Sequence, residues 1–216
     1  MQSSLWAFVQ DLRDMEQIGP HIVHEQSFPG SRAEVREVER PWSKEMQAFL
    51  HHLGLHGLYT HQAQGIDLIR TQRHTVVATP TASGKSLIYT LPVFERIASN
   101  PLSRSLFLFP LKALAQDQLR ALLEMAGTWP GERAPTAAAY DGDTPASQRA
   151  VIRKNPPHLL LTNPEMLHLS LLSAHQQWAA LWANLDFVIV DEVHTYRGVM
   201  GSNMAWVFRR LRRICA

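Results

Sequence analysis

Between His74 and Phe94 the chain reads HTVVATPTASGKSLIYTLPVF. A β-branched apolar run stops at Thr79-Pro80, a loop of small residues follows, and Gly84-Lys85-Ser86 open a helix-like stretch. Such a junction aims several backbone N–H groups at one point, and the helix N-terminus adds about half a positive charge there. A phosphate group suits that point. In the strict pattern G-x-x-x-x-G-K-[ST] a glycine stands first, whereas Thr79 stands there here. The threonine falls where strand becomes loop, away from the tightest phosphate approach. Gly84 lets the backbone come close, Lys85 can reach the β- and γ-phosphates, and Ser86 can ligate Mg²⁺. Ala82 takes a position where glycine is common, so the backbone there must avoid the left-handed region. The competing account is an ordinary strand-to-helix turn with a chance Gly-Lys-Ser.

The flanks favour the cradle. From Leu58 onward, short apolar runs alternate with helix-like stretches. The expected strands are Thr75–Thr79, Ser105–Pro110, Thr136–Tyr140, Leu159–Thr162 and Asp186–Val190. The expected helices are Thr60–Arg70, Lys85–Ala98, Ala113–Met125, Pro145–Lys154 and Leu171–Trp182, with a further one over Gly201–Arg213. Nearly continuous apolar strands separated by helices imply an open, mostly parallel α/β sheet. Residues 1–57 differ. Leu5, Phe8, Val9 and Leu12 recur at helical spacing, a polar loop with Pro29-Gly30 follows, and Met46, Phe49, Leu50 and Leu53 mark a second helix. They read as a helical N-terminal extension to a domain over 58–216.

The second anchor is LDFVIVDEVHTYRG, Leu185 to Gly198. An apolar strand delivers Asp191-Glu192 at its C-terminal end, the edge where open α/β sheets bind ligands. A carboxylate beside a phosphate loop can hold Mg²⁺ through water, the role read for Asp191. Glu192 then orients or deprotonates an attacking water. His194 can sense the γ-phosphate, couple to another surface, or serve structure alone. Taken alone, Asp191-Glu192 is equally an exposed loop pair.

Composition excludes little but bounds the rest. A chain of 216 residues suits one domain with a full core plus some extra structure. The net charge of +2 is too small to argue for nucleic acid by itself. Arg209, Arg210, Arg212 and Arg213 nevertheless crowd one end, as a solvated helix face or a contact surface. Cys215 is the single cysteine, so neither an internal disulfide nor a zinc cluster can form within the chain. No stretch approaches membrane-span length, and MQSSLWAFVQDLRDM lacks the basic start and apolar run of a signal peptide. The expected location is the cytoplasm.

The motifs resemble those of superfamily 2 helicases of the DEAD/DEAH type. LYTHQAQGI is similar to the Q motif, TPTASGKS to motif I, PLKALAQDQ to motif Ia, TNPEML to motif Ib and DEVH to motif II. They run in family order from Leu58 to His194, and it is the order that makes the likeness specific. DEVHTYRGVMGSNMA is further similar to the DUF1998-associated branch, which holds the mitomycin-repair and Hrq-type helicases. That branch usually writes motif Ia as PTKALAQDQ; Leu111 here replaces the threonine.

The resemblance implies a RecA-like P-loop fold, ATP and Mg²⁺ as cofactors, and 3′-to-5′ movement on single-stranded or partly duplex DNA in repair. It implies that Gln62 reads the adenine edge, that Tyr59 packs near the base, and that Thr81, Ala82, Ser83, Gly84, Lys85 and Ser86 wrap the triphosphate. Pro110, Leu111, Lys112, the Gly142-Asp143-Thr144 turn, and Thr162, Asn163, Pro164 and Glu165 would line one nucleic-acid strand. Backbone N–H and hydroxyl groups recognise phosphates without reading sequence. Outside the resemblance, Gln62 is equally a surface helix residue, Lys112 a solvated lysine and Asn163 a helix N-cap. No S-A-T-like motif III, second RecA-like domain, motif VI arginine or four-cysteine site follows His194. The chain is therefore expected to be the N-terminal portion of a helicase and nearly inactive alone. The rival readings are an RNA-directed ATPase of the same superfamily, a non-catalytic nucleic-acid or partner adaptor, and a P-loop kinase.

Overall fold

A computed structural model describes residues 2–26, 34–80 and 83–215. The chain divides into two compact units, with the boundary between Glu34 and Val35. In the first unit, α1 spans Gln2–Asp14 and a 3₁₀ turn spans Gly19–His21, with Arg13 paired to Glu25. The Pro29-Gly30 loop read from the sequence lies outside the described residues.

The second unit begins with β1 (Val35–Arg36), α2 (Lys44–His52) and β2 (Leu58–Tyr59). Ser43 caps α2, its hydroxyl accepting the Met46 N–H at 3.2 Å. α3 (Thr60–Arg70), α4 (Lys85–Ser99), β3 (Arg104–Leu108), α5 (Lys112–Gly127), β4 (Ala137–Ala139) and α6 (Ala146–Lys154) follow. Then come β5 (Leu159–Thr162), α7 (Pro164–Met166), α8 (Ala179–Trp182), β6 (Leu185–Val190) and α9 (Gly198–Cys215). The antiparallel β1–β2 pair stands apart from a four-stranded parallel sheet of order β4-β5-β3-β6. Helices pack on both faces of that sheet, which is RecA-like.

Side chains alternate across a strand, and here the alternation divides the core in two. Phe107, Leu159 and Leu161 enter a cluster with Met46, Phe49, Phe94 and Ile97. Leu106, Leu108 and Leu160 enter the opposite cluster with Trp178, Leu181, Met204 and Val207. β3 and β5, central in the order, are almost wholly buried, while the edge strands β4 and β6 are only partly so. The second expected helix of the extension, α2, is thus part of the core: Phe49 stacks on Phe94 at 5.1 Å and meets Trp129 at 4.9 Å.

Two expectations need correction. Thr75–Thr79 forms no strand; among the described residues it has no ladder partner, and β6 is the edge of the sheet. A β-branched run becomes a strand only when a neighbour's C=O and N–H groups pair with its own N–H and C=O groups. Here the Thr79 carbonyl accepts from Lys85 Nζ at 2.9 Å instead. The helix expected over Leu171–Trp182 is broken into a π-turn over Leu167–Leu171, a 3₁₀ turn over His175–Trp178, and α8. The Leu172 N–H reaches back five residues to the Leu167 carbonyl at 2.9 Å, and the Ser173 hydroxyl captures the Leu169 carbonyl at 2.5 Å. A serine that competes for a backbone carbonyl weakens regular helix. The wider turn seats Leu167, Leu171 and Leu172 in one cluster.

α3 and α4 are locked by an ion pair. Arg70 donates from Nε and Nη2 to the two Glu95 carboxylate oxygens, each at 2.8 Å, and from Nη1 to the Arg40 carbonyl at 2.6 Å. Its guanidinium lies 3.8 Å from the Trp42 ring centre, and its side chain is 5% exposed. Glu95→Ala strands this buried cation. The expected loss is about 3–5 kcal/mol of stability, read by urea unfolding as a lower midpoint at unchanged slope. A loss below about 1 kcal/mol would place the pair among ordinary solvated bridges.

Candidate functional site

All four strands of the main sheet are parallel, so their C-terminal ends share one edge. Across that edge stand, in spatial order, the Gly142-Asp143-Thr144 turn after β4, Thr162–Glu165 after β5, Pro110–Lys112 after β3, and Asp191-Glu192 after β6. The expected nucleic-acid residues therefore occupy three adjacent strand ends, and the acidic pair occupies the fourth.

Gly84 is the N-cap of α4 and adopts φ +74°, in the left-handed region. A Cβ there would come within 2.4 Å of Gln62 Nε2, so only glycine fits. Lys85 and Ser86 form the first turn of this 15-residue helix. Lys85 Nζ donates to the Thr79 carbonyl at 2.9 Å and the Pro80 carbonyl at 3.3 Å. Thr79 also closes the loop base, its hydroxyl 2.6 Å from that of Ser83. The residue in the missing-glycine position thus contributes both a side-chain and a main-chain contact. Thr81 and Ala82 lie outside the described residues.

Gln62 is buried, and its amide is occupied. Its Oε1 accepts the Tyr59 N–H at 2.9 Å, capping α3, and its Nε2 donates to the Gly84 carbonyl at 3.0 Å. The Q-motif glutamine ties α3 to the phosphate loop. His61 adds a second tie, one ring nitrogen lying 3.0 Å from the Ser83 carbonyl. Tyr59 is 46% exposed and stacks on His61 at 5.8 Å, leaving an aromatic face open.

Asp191 continues the β6 ladder, its N–H donating to the Leu108 carbonyl at 3.0 Å. Its Oδ1 accepts the Glu192 N–H at 2.9 Å. Glu192 sits at φ +49°, ψ +42°, a conformation that costs a non-glycine residue about 1–3 kcal/mol. Thr195 holds it there, donating from both N–H and hydroxyl to the Glu192 carbonyl at 2.9 and 2.8 Å. Glu192 Oε2 lies 3.2 Å from His194 Nδ1.

Two tyrosines missed by sequence reasoning flank the acidic residue. Tyr89 is pushed up to about 12, first by burial, against a hydrogen bond to Ser86 that lowers it and with the Asp191 charge adding to the rise. Tyr196 is raised to about 12 by burial and then by Asp191. Tyr89 thus lies near both Ser86 and Asp191. Its place one helical turn after Ser86 was the available signal.

The expected nucleic-acid residues differ in what they present. Leu111, Lys112, Gly142, Asp143 and Glu165 are exposed, Pro110, Thr144 and Pro164 half-buried. Lys112 Nζ pairs with Asp143 Oδ2 at 2.7 Å, and that carboxylate holds the ammonium above its ordinary pKa. Asn163 Oδ1 accepts the Met166 N–H at 2.8 Å, the N-cap of α7. Thr162 is buried, and its hydroxyl donates to the Tyr140 carbonyl at 2.6 Å, so it shapes the edge from beneath. Among the described residues no cluster of His, Cys, Asp and Glu forms a ready-made metal site, and no helix is long and apolar enough to cross a membrane.

Comparison with known proteins is consistent across sequence and fold. The family model described as DEAD/DEAH box helicase matches residues 59–216. The chain is 39% identical over 214 residues to the ATP-dependent helicase YprA of Bacillus subtilis, covering 99% of this chain and 28% of that protein. It is 36% identical over 207 residues to the ATP-dependent helicase HRQ1 of Saccharomyces cerevisiae, covering 96% of this chain and 19% of that one. The crystal structure of the DUF1998 helicase MrfA bound to DNA and AMPPNP superposes with a TM-score of 0.80 at 42% identity, over 86% of this chain and 26% of that one. The chain spans about a quarter or less of the length of these relatives.

Proposed function

The chain belongs to the DEAD/DEAH box helicase family, and from that premise we propose that residues 58–216 are the first RecA-like, ATP-binding domain of an ATP-dependent DNA helicase. The carrying observation is the order of strand ends: three adjacent loops suited to a phosphate backbone beside the acidic pair that follows β6. DNA is preferred over RNA because MrfA, a neighbour at 42% identity, was solved bound to DNA. Repair and 3′-to-5′ movement complete the proposal, carried by the likeness of DEVHTYRGVMGSNMA to the DUF1998-associated branch.

The residues present fit Mg–ATP. Gly84 admits the backbone where a Cβ would clash, and α4 presents its N-terminus at the same point. Lys85, Ser86 and Asp191 would hold the triphosphate and its cation. When bound, Mg–ATP supplies a phosphoanhydride with its charge partly neutralised. The chain's own part is to hold, to orient and to accept a proton. Lys85 exchanges two neutral carbonyls for phosphate oxygens. Tyr59 offers its ring to the base. Glu192 takes the proton of the attacking water, with His194 beside its carboxylate. A second RecA-like domain would complete the site with an arginine worth about 10³–10⁵ in related NTPases.

The test is ATP turnover by the full-length protein with single-stranded DNA or RNA added, then unwinding of duplexes tailed at either end. Stimulation by DNA, with unwinding from a 3′ tail, is expected. Stimulation by RNA alone would move the assignment to an RNA-directed ATPase, and nucleic-acid binding without turnover would make it an adaptor.

A further inference from the structure

The turn after β4 is braced more heavily than a surface loop requires. Asp141, 7% exposed, accepts on Oδ1 from the Asp143 N–H at 2.9 Å, the Thr144 N–H at 3.0 Å and the Thr144 hydroxyl at 3.0 Å. Its own N–H donates to Thr144 Oγ1 at 3.0 Å. From α6, Arg149 then gathers the carbonyls. Nε donates to the Thr144 carbonyl at 2.8 Å, and Nη2 to those of Asp141 at 2.8 Å and Gly142 at 2.7 Å. The guanidinium also lies 5.8 Å from the Tyr140 ring centre. Among the described residues, the Gly142 N–H has no partner. A Cβ built on Gly142 would meet only Lys112 Nζ, at 3.6 Å. The open side of the turn therefore faces an ammonium group that a carboxylate, Asp143, already occupies.

Carbonyl oxygens repel a phosphate backbone, and N–H groups attract it. A turn that meets a phosphate backbone gains from having its carbonyls drawn elsewhere. A planar fork holds several oxygens in one fixed geometry, which the rotatable donors of a flexible lysine do not. We infer that Arg149 is a positioning residue for nucleic-acid binding: it draws three carbonyls of the Asp141–Thr144 turn onto one guanidinium and leaves the Gly142 N–H to an anionic strand. This rests on reading that turn as a nucleic-acid contact.

The test uses this chain, a fluorescein-labelled oligothymidylate and a fluorescent ATP analogue, with binding followed across a salt series. Arg149→Ala is expected to weaken oligonucleotide binding about tenfold while leaving the ATP analogue's affinity and the salt slope unchanged. Arg149→Lys keeps the charge but not the fork, and is expected to weaken binding at least threefold. Should Arg149→Ala fail to melt cooperatively, the lysine variant carries the same readouts. A fall in salt slope of about 0.7 would make Arg149 a direct phosphate partner and overturn the inference, as would full affinity in the lysine variant. Wild-type binding matched by Arg149→Ala removes the inference alone. Absence of oligonucleotide binding by the wild-type chain removes the nucleic-acid reading of the turn, and the inference with it.

Discussion

Lys85→Ala abolishes saturable Mg–ATP binding at concentrations that fill the wild-type chain, with the cooperative melt preserved. In the structure the ammonium is already drawn over the loop by the Thr79 and Pro80 carbonyls. Those oxygens are neutral, half-exposed or exposed, and water replaces the lysine when it is removed, so the fold loses little. A triphosphate gains what the carbonyls give up, and with full charge. Hydrogen bonds to charged groups are worth about 1.5–3 kcal/mol each. Two such contacts correspond to roughly 10²–10⁴ in Kd. Titration of a fluorescent ATP analogue reads this directly. A change below tenfold would mean the Gly-Lys-Ser loop is not a phosphate cradle.

The parts of this fold legible in the sequence are those where local and long-range demands agree. Thr60–Arg70 is a helix in both, because Gln62 caps its first turn and an apolar face meets α4. The runs after Ser105 and Leu159 are buried on both faces, as continuous apolar strands should be. Thr75–Thr79 has strand composition, but composition does not supply a hydrogen-bonding neighbour. Leu171–Trp182 has helical composition, but its leucines and tryptophans satisfy the core through a π-turn and a 3₁₀ turn.

The site divides the same way. Spacing marks Gly84, Lys85, Asp191 and Glu192, because each stands at a strand or helix end. Spacing says nothing of how a side chain is spent. Gln62, expected to read the adenine edge, has its amide on the Tyr59 N–H and the Gly84 carbonyl, and Thr162 is turned inward. Asp141 and Arg149 passed unnoticed although D-G-D-T is a turn signal, because a brace is visible only once α6 folds back over the turn. The left-handed backbone of Glu192 has no sequence signature at all.

That strained residue carries the second large effect. In the full-length protein, Glu192→Gln lowers ATP turnover by about 10²–10⁴, the usual contribution of a general base, while Mg–ATP affinity stays within threefold. Glutamine matches glutamate in size and meets the same φ of +49°, so the backbone cost and the Thr195 brace are unchanged and the melting temperature should not move. What is lost is the carboxylate beside His194 Nδ1. A parallel series of binding and turnover separates the two functions: Lys85→Ala fails in both, Glu192→Gln in turnover alone. Were Glu192→Gln to retain more than a tenth of wild-type turnover, the base would have to be sought elsewhere. The strain at Glu192 would then serve only to turn the chain from β6 toward α9.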